Sequence, residues 1–183
     1  MRAYDLIRSR RSVRTFEARP LERAAVARCL EAAIWAPNRG LTQPWRFVVL
    51  GGAPLRALAA LVAALEEACA PDPGQGAAEP LGQAAAAVAV WQTAAADAAT
   101  WAADRLAVAA AVQNLLLCAW DEGWAGTWLG GPLLLDPGVQ DLVRVAQGQT
   151  LVAVVALGWP AEVPPVRPRR RAAELTRWAW DDA

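Results

Sequence analysis

Apolar residues recur along this chain with two different periods, and proline and glycine mark where one gives way to the other. Between Pro20 and Pro37 the residues Val26, Cys29, Leu30, Ala33 and Ile34 fall at helical spacing, with Glu22, Arg23, Arg28 and Glu31 among them. That pattern predicts an amphipathic helix over Leu21–Ala36, ended by Pro37. A shorter helix is expected over Tyr4–Arg10, with an extended exit from Arg11 to Phe16. Asn38–Gln43 has no period and reads as a loop. Trp45–Leu50 is a β-rich apolar run closed by Gly51 and Gly52, which fits a buried strand.

A helix follows from about Pro54 to Cys69. Pro71–Gly82 is rich in Pro, Gly and Ala without an apolar period, and reads as a mobile loop inside one domain, because neither flank looks self-sufficient. Ala86–Thr93 contains a strand. Thr100–Glu122 is a long helix whose alanine-rich faces predict burial nearly all round. Gly123–Leu129 reads as a short strand between glycines. Asp136 and Pro137 supply an N-cap and a first-turn proline for a helix to about Ala146. Leu151–Leu157 is the clearest strand, ended by Gly158 and Pro160. Residues 160–183 form a Pro/Arg-rich extension, helical from Ala172 to Trp180. No internal repeat is present, and helices gathered around a few strands give the class α+β in a single domain over 1–183.

Composition adds a partner to this picture. A chain of 183 residues with 56% hydrophobic content exceeds what a monomer of this size readily hides, so a homodimer is expected. The 18 basic and 18 acidic residues cancel, which leaves no overall signature of nucleic-acid or anionic-membrane binding. No apolar leader or membrane span is indicated, and Cys29, Cys69 and Cys118 suit reduced thiols in a cytoplasmic setting, with packing as the role of Cys29 and Cys118. The chain has no His, which removes Ser-His and Cys-His dyads and most transition-metal sites. All basic residues are Arg, so a Walker loop and a Schiff-base lysine are also excluded. An enzyme so composed takes its chemistry most economically from an organic cofactor.

Two arginine clusters carry the candidate chemistry. Arg10-Arg11-Ser12-Val13-Arg14 sets three guanidiniums and a hydroxyl at a helix end, a set that pairs bidentately with phosphate; a solvated helix end is the alternative. Arg167–Arg171 either converges on the same anion or forms a soluble tail. In Gln43-Pro44-Trp45 the tryptophan anchors the loop to the core and the proline fixes its exit.

RSRRSVRTF (8–16) with APNRGLTQPWRFVVL (36–50) resembles the nitroreductase family, in its compact single-domain branch. QNLLLCAWDEGWAGTWLGG (113–131) and VAVVALGWPAEVPPVRPRRR (152–171) resemble that family's central helix with its glycine-flanked turn, and its last core strand with an arginine tail. The resemblance implies a nitroreductase-like α+β fold, a mixed and mostly antiparallel sheet flanked by helices, in an intertwined homodimer with FMN at the interface. It also implies that Arg10, Arg11 and Ser12 grip the FMN phosphate and ribityl chain, with Arg14 near the pyrimidine edge. Trp35, Pro37, Asn38 and Arg39 are implied to reach the flavin of the other subunit. Trp35 matches by position alone, a core or interface role being its alternative. Trp128, Leu129 and Gly130 match the turn against the ring, and Arg167 and Arg169 the phosphate-directed pair, although Arg171 stands where the family's usual proline follows. The implied activity is ping-pong hydride transfer from NADH or NADPH to a nitroaromatic, quinone or activated alkene. Rival readings are flavin binding without turnover, a specialised flavin enzyme such as a reductive dehalogenase or a flavin consumer, and, disfavoured by charge, nucleic-acid binding.

Overall fold

Both faces of a four-stranded sheet are covered, and the sequence of the two central strands explains why. In the computed structural model, which describes residues 2–69 and 76–180, the strands are β1 (Trp45–Leu50), β2 (Ala86–Gln92), β3 (Ala125–Leu129) and β4 (Thr150–Gly158). Their order is β1-β2-β4-β3, and every pairing of neighbours is antiparallel. The expected mixed character reduces to one parallel bridge, Ser12 to Gly126, outside the named strands. β2 and β4 are nearly all Val, Ala and Leu, and both are almost wholly buried. Strands apolar on both faces cannot face water on either side, so helices must cover both.

The helices are α1 (Ala3–Ser9), α2 (Arg23–Ala33), α3 (Gly52–Cys69), α4 (Ala78–Gln83), α5 (Ala98–Asp121), α6 (Pro137–Leu142) and α7 (Ala172–Leu175), with 3-10 turns at Arg39–Leu41 and Gly131–Leu135. Val88, Val90, Val155 and Leu157 point to one face and pack with Val26, Cys29 and Ala33 of α2 and with Val108, Val112 and Leu115 of α5. Ala87, Ala89, Val154 and Ala156 point to the other, toward Leu58 and Val62 of α3, Leu81 of α4 and Val139 of α6. A bulge between Val90 and Trp91 shifts the register against β4. Trp45 is buried in the first of these cores, as the reading of the Gln43-Pro44-Trp45 block required.

Four expectations need correction. α5 is not buried all round: Asp104, Ala107, Val108, Ala111, Val112, Leu115, Leu116 and Ala119 form an inward stripe, while Leu106 is 73% exposed. Trp101 and Gln113 are likewise exposed on the described structure. Residues 71–75 lie outside the described residues, but 78–83 of the expected loop form α4. One buried turn, around Pro80 and Leu81, leaves no period to read. Pro80 stands in the first helical turn, where its missing N–H costs nothing. α6 stops at Leu142 rather than near Ala146, because Val143 leaves helical geometry and Arg144 turns left-handed at φ 58°. The tail is helical only over Ala172–Leu175, with no buried residue to prolong it.

Candidate functional site

The two arginine clusters, some 150 residues apart in sequence, line one cleft of about 1010 Å³. Its walls include Arg8, Arg10, Arg11, Ser12 and Arg14 from the first cluster, Arg167 and Arg169 from the second, and Thr127 and Glu162. The extended exit after α1 makes this meeting possible. Val13 is fully buried and Phe16 6% exposed, so these two residues anchor the segment while their neighbours stay nearer the surface. Ser12 bridges to Gly126 of β3 and Phe16 to Pro160, which sets the segment between β3 and the start of the tail. A Cβ on Gly126 would come within 2.8 Å of side-chain methyls of both Leu116 and Leu157 and 3.2 Å of the Ala156 carbonyl oxygen; glycine leaves that space to the two leucines.

Further bonds hold the segment. The indole N–H of Trp120 on α5 donates to Ser9 Oγ at 3.0 Å. The Phe16 N–H donates to Gln83 Oε1 at 3.0 Å, and the Arg14 guanidinium donates to the Gly76 carbonyl. The region around α4, read from sequence as a loop, therefore clasps the arginine segment.

The guanidiniums are not equivalent. Arg11 Nη1 donates to the carbonyls of Arg8 at 2.7 Å, Ser9 at 2.9 Å and Arg10 at 2.9 Å. It thereby satisfies carbonyls at the end of α1, a C-cap rather than an open phosphate fork. Arg10 makes one long contact, to Ser12 Oγ at 3.4 Å, and Arg169 one, to the Arg167 carbonyl at 3.5 Å. The ion pairs among the described residues are Arg28–Glu122, Arg170–Glu174 and Arg171–Glu174, so no carboxylate pairs with the cleft arginines. Desolvation, then the charges of Arg11 and Arg169, push the Arg10 pKa below its ordinary value. Several converging cations outnumber the one acid on the wall, Glu162, which forms no ion pair with them; with the hydroxyls of Ser12, Thr15 and Thr127 they make the donor set that a phosphate monoester satisfies.

The remaining expected residues lie elsewhere in the chain. Trp35 is 79% exposed, which removes the core alternative for it. Pro37 and Asn38 sit in the α2–β1 connection, and Arg39 lines a second cleft of about 480 Å³ with Thr42, Asp97, Thr100 and Asp104. Trp128 and Leu129 belong to strand β3 rather than to a turn. Leu129 is buried, leaving only its backbone to offer, and Gly130 follows in extended conformation. None of these seven lines the arginine cleft of its own chain.

Thr15, Thr127 and Glu162 are polar cleft residues that sequence reasoning missed. Thr127 is 3% exposed, next to Gly126, and β-strand alternation from the buried Leu129 was the signal for it. Glu162 sits on the tail between β4 and Arg167, and nothing in the sequence pattern marked it.

A profile of the Nitroreductase family matches residues 7–159. YfhC of Bacillus subtilis, a provisionally named NAD(P)H nitroreductase, is 31% identical over 170 residues, covering 90% of this chain and 88% of that protein. The 5,6-dimethylbenzimidazole synthase of Rhodospirillum rubrum is 31% identical over 192 residues, covering 96% and 87%. A provisionally assigned nitroreductase of Desulfovibrio desulfuricans, solved in complex with FMN, superposes with a TM-score of 0.76 at 27% identity over 96% of this chain and 95% of the other.

Proposed function

Since this chain belongs to the nitroreductase family, we propose that it is an FMN-dependent oxidoreductase acting between NADH or NADPH and a small electron-poor acceptor, a nitroaromatic, quinone or activated alkene. The observation that carries this reading is the arginine cleft, where both clusters meet and, among the described residues, none of their guanidiniums is ion-paired.

Arg10, Ser12, Arg167 and Arg169 are the residues that would hold the FMN phosphate, because they line one cleft and make few or long contacts within the chain. Arg11 contributes charge while bracing α1. Arg14, oriented by its bond to the Gly76 carbonyl, supplies a cation that favours negative charge gained by the flavin ring, by direct Coulomb attraction. The backbone along Trp128, Leu129 and Gly130 would meet the ring edge. When bound, FMN would supply the redox chemistry, hydride exchange between the nicotinamide and the acceptor in two half-reactions.

Trp35, Pro37, Asn38 and Arg39 serve the site of a second copy. Their absence from the cleft of their own chain supports a homodimer, as do the exposed Leu106 on α5 and the exposed Trp35 and Ile34 at the end of α2. Large side chains at 73%, 79% and 40% exposure on neighbouring elements are what an interface leaves behind when one copy is viewed alone.

The test is direct. Purified chain should take up FMN and show flavin absorption that bleaches with NADH or NADPH and returns on adding a quinone or nitroaromatic. A chain that remains colourless in FMN refutes the reading, and a yellow protein inert to both nicotinamides points to binding alone. A second reading, a specialised flavin-consuming enzyme, is favoured by the equal identity to 5,6-dimethylbenzimidazole synthase, whose product carries the dimethylbenzo ring also found in a flavin. It predicts irreversible loss of the flavin spectrum, rather than its return, when the reduced protein meets oxygen.

A further inference from the structure

The connection from α2 to β1 is an unfavourable stretch of backbone, and a bond from another element holds it. Gly40, Leu41 and Gln43 are left-handed, at φ 67°, 54° and 45°. Leu41 and Gln43 carry a Cβ, which makes that conformation costly. Leu41 is 76% exposed, so packing within the chain does not offset the cost. Two side-chain bonds close the loop on itself, the Gln43 N–H donating to Asn38 Oδ1 at 3.0 Å and Asn38 Nδ2 to the Ala36 carbonyl at 3.1 Å, beside a long backbone bond from the Leu41 N–H to the Asn38 carbonyl at 3.4 Å. One side-chain bond ties it to α5, from Thr42 Oγ1 to Asp104 Oδ1 at 2.7 Å.

Asp104 is itself out of place by ordinary packing rules. It is 3% exposed on the inward stripe of α5, among alanines, valines and leucines. A carboxylate buried there is expensive unless it is bonded. Two locally unfavourable features, a left-handed loop and a buried acid, are thus joined by a single hydrogen bond on the wall of the second cleft, where Arg39 also lies. Core packing explains neither feature. A functional loop that must be held in one geometry explains both.

We propose that Thr42 and Asp104 are a positioning pair that fixes the 38–43 loop, so that Asn38 and Arg39 are already placed for the flavin held by the second copy's arginine cleft. The inference rests on the functional reading above and extends it to residues outside the cleft. Pre-set geometry removes the ordering cost that a floppy loop would bring to each binding event.

Thr42 is exposed, so Thr42→Val removes the donor with little change of shape and no loss of core. Thr42→Ser keeps the donor. FMN affinity is measured by titrating flavin fluorescence into wild-type chain and both variants, beside urea unfolding of the flavin-free proteins. Thr42→Val should raise the FMN Kd roughly tenfold, the equivalent of one hydrogen bond to a charged group. Thr42→Ser should bring it back to within about twofold, and the KM for nicotinamide should follow the same order. Equal FMN Kd in wild-type and Thr42→Val proteins overturns this inference alone, whatever the variant does to unfolding. So does an equal loss in the serine variant, since the hydroxyl would then not be the cause. A wild-type chain that takes up no FMN overturns the functional reading, and this inference with it.

Discussion

Replacing Arg10 by methionine should move FMN binding and flavin-free stability in opposite directions. The flavin-free protein holds Arg10 half-buried, with its pKa lowered by desolvation and then by the charges of Arg11 and Arg169. Methionine keeps an apolar stem in place and removes the repelled charge. The cleft is open to solvent, which screens such repulsion, so the relief amounts to about 0.2–1 kcal/mol. Against this, methionine gives up only the long 3.4 Å bond to Ser12 Oγ, and urea unfolding of the flavin-free variant should match or slightly exceed wild type. With FMN the balance reverses. A guanidinium–phosphate bond is charge-assisted and worth about 1.5–3 kcal/mol, so the variant's Kd should rise roughly ten- to a hundredfold. Fluorescence titration at about 0.05 and 0.5 M salt adds a signature, because the wild-type affinity should fall more with salt than the variant's. Unchanged FMN affinity together with a less stable flavin-free protein would refute the reasoning, for Arg10 would then be a structural residue.

Other outcomes follow from particular contacts. Gly126→Ala should destabilise the fold by about 1–3 kcal/mol in chemical denaturation, since its Cβ would meet Leu116 and Leu157 at 2.8 Å; a neutral result would show that β3 shifts freely, contrary to its close bridge with Ser12. Bonds from Arg28, at 2.7 Å to each carboxylate oxygen, hold the Glu122 carboxyl below its ordinary value, against an opposing desolvation. Its stabilisation is therefore complete above the usual Glu range near pH ~4.3 and fades as pH falls through the lowered value. Glu122→Gln should accordingly be less stable than wild type at neutral pH and equal to it in strong acid, and a gap that persists in acid would contradict the pairing. Asp136→Ala removes the acceptor of the Val139 N–H at 2.9 Å and should cost about 1 kcal/mol in thermal or urea unfolding. Burial, then hydrogen bonding to Cys118, pushes the fully buried Cys29 thiol above its ordinary range, so iodoacetamide at pH ~8 should spare Cys29 until the chain unfolds.

Most of the secondary structure was legible because it rests on local rules. Trp45–Leu50 was bounded to the residue by Pro44 and Gly51, and Asp136 with Pro137 started α6 where an N-cap and a first-turn proline should. The errors fall where tertiary contact overrides the local signal. α4 forms on one buried turn, and α6 stops at a left-handed Arg144. The inward stripe of α5 is hard to read in a helix so rich in alanine and leucine, with Asp104 on the stripe and Leu106 off it; the neighbouring sheet and α2 decide which face is the inside.

The site divides in the same way. Residue type alone made Arg10, Ser12, Arg167 and Arg169 candidates for a phosphate, and the absence of His and Lys pointed to a borrowed cofactor. Only the fold placed the two arginine clusters in one cleft, turned Arg11 into a brace for α1, brought Thr127 and Glu162 into the wall, and set Thr42 against Asp104. Sequence spacing records period and chemistry over a few turns of chain. Convergence over 150 residues depends on what packs beneath each segment, and here the Leu116 and Leu157 side chains fill the space that Gly126 leaves, while Val13 is buried beneath the arginines it separates.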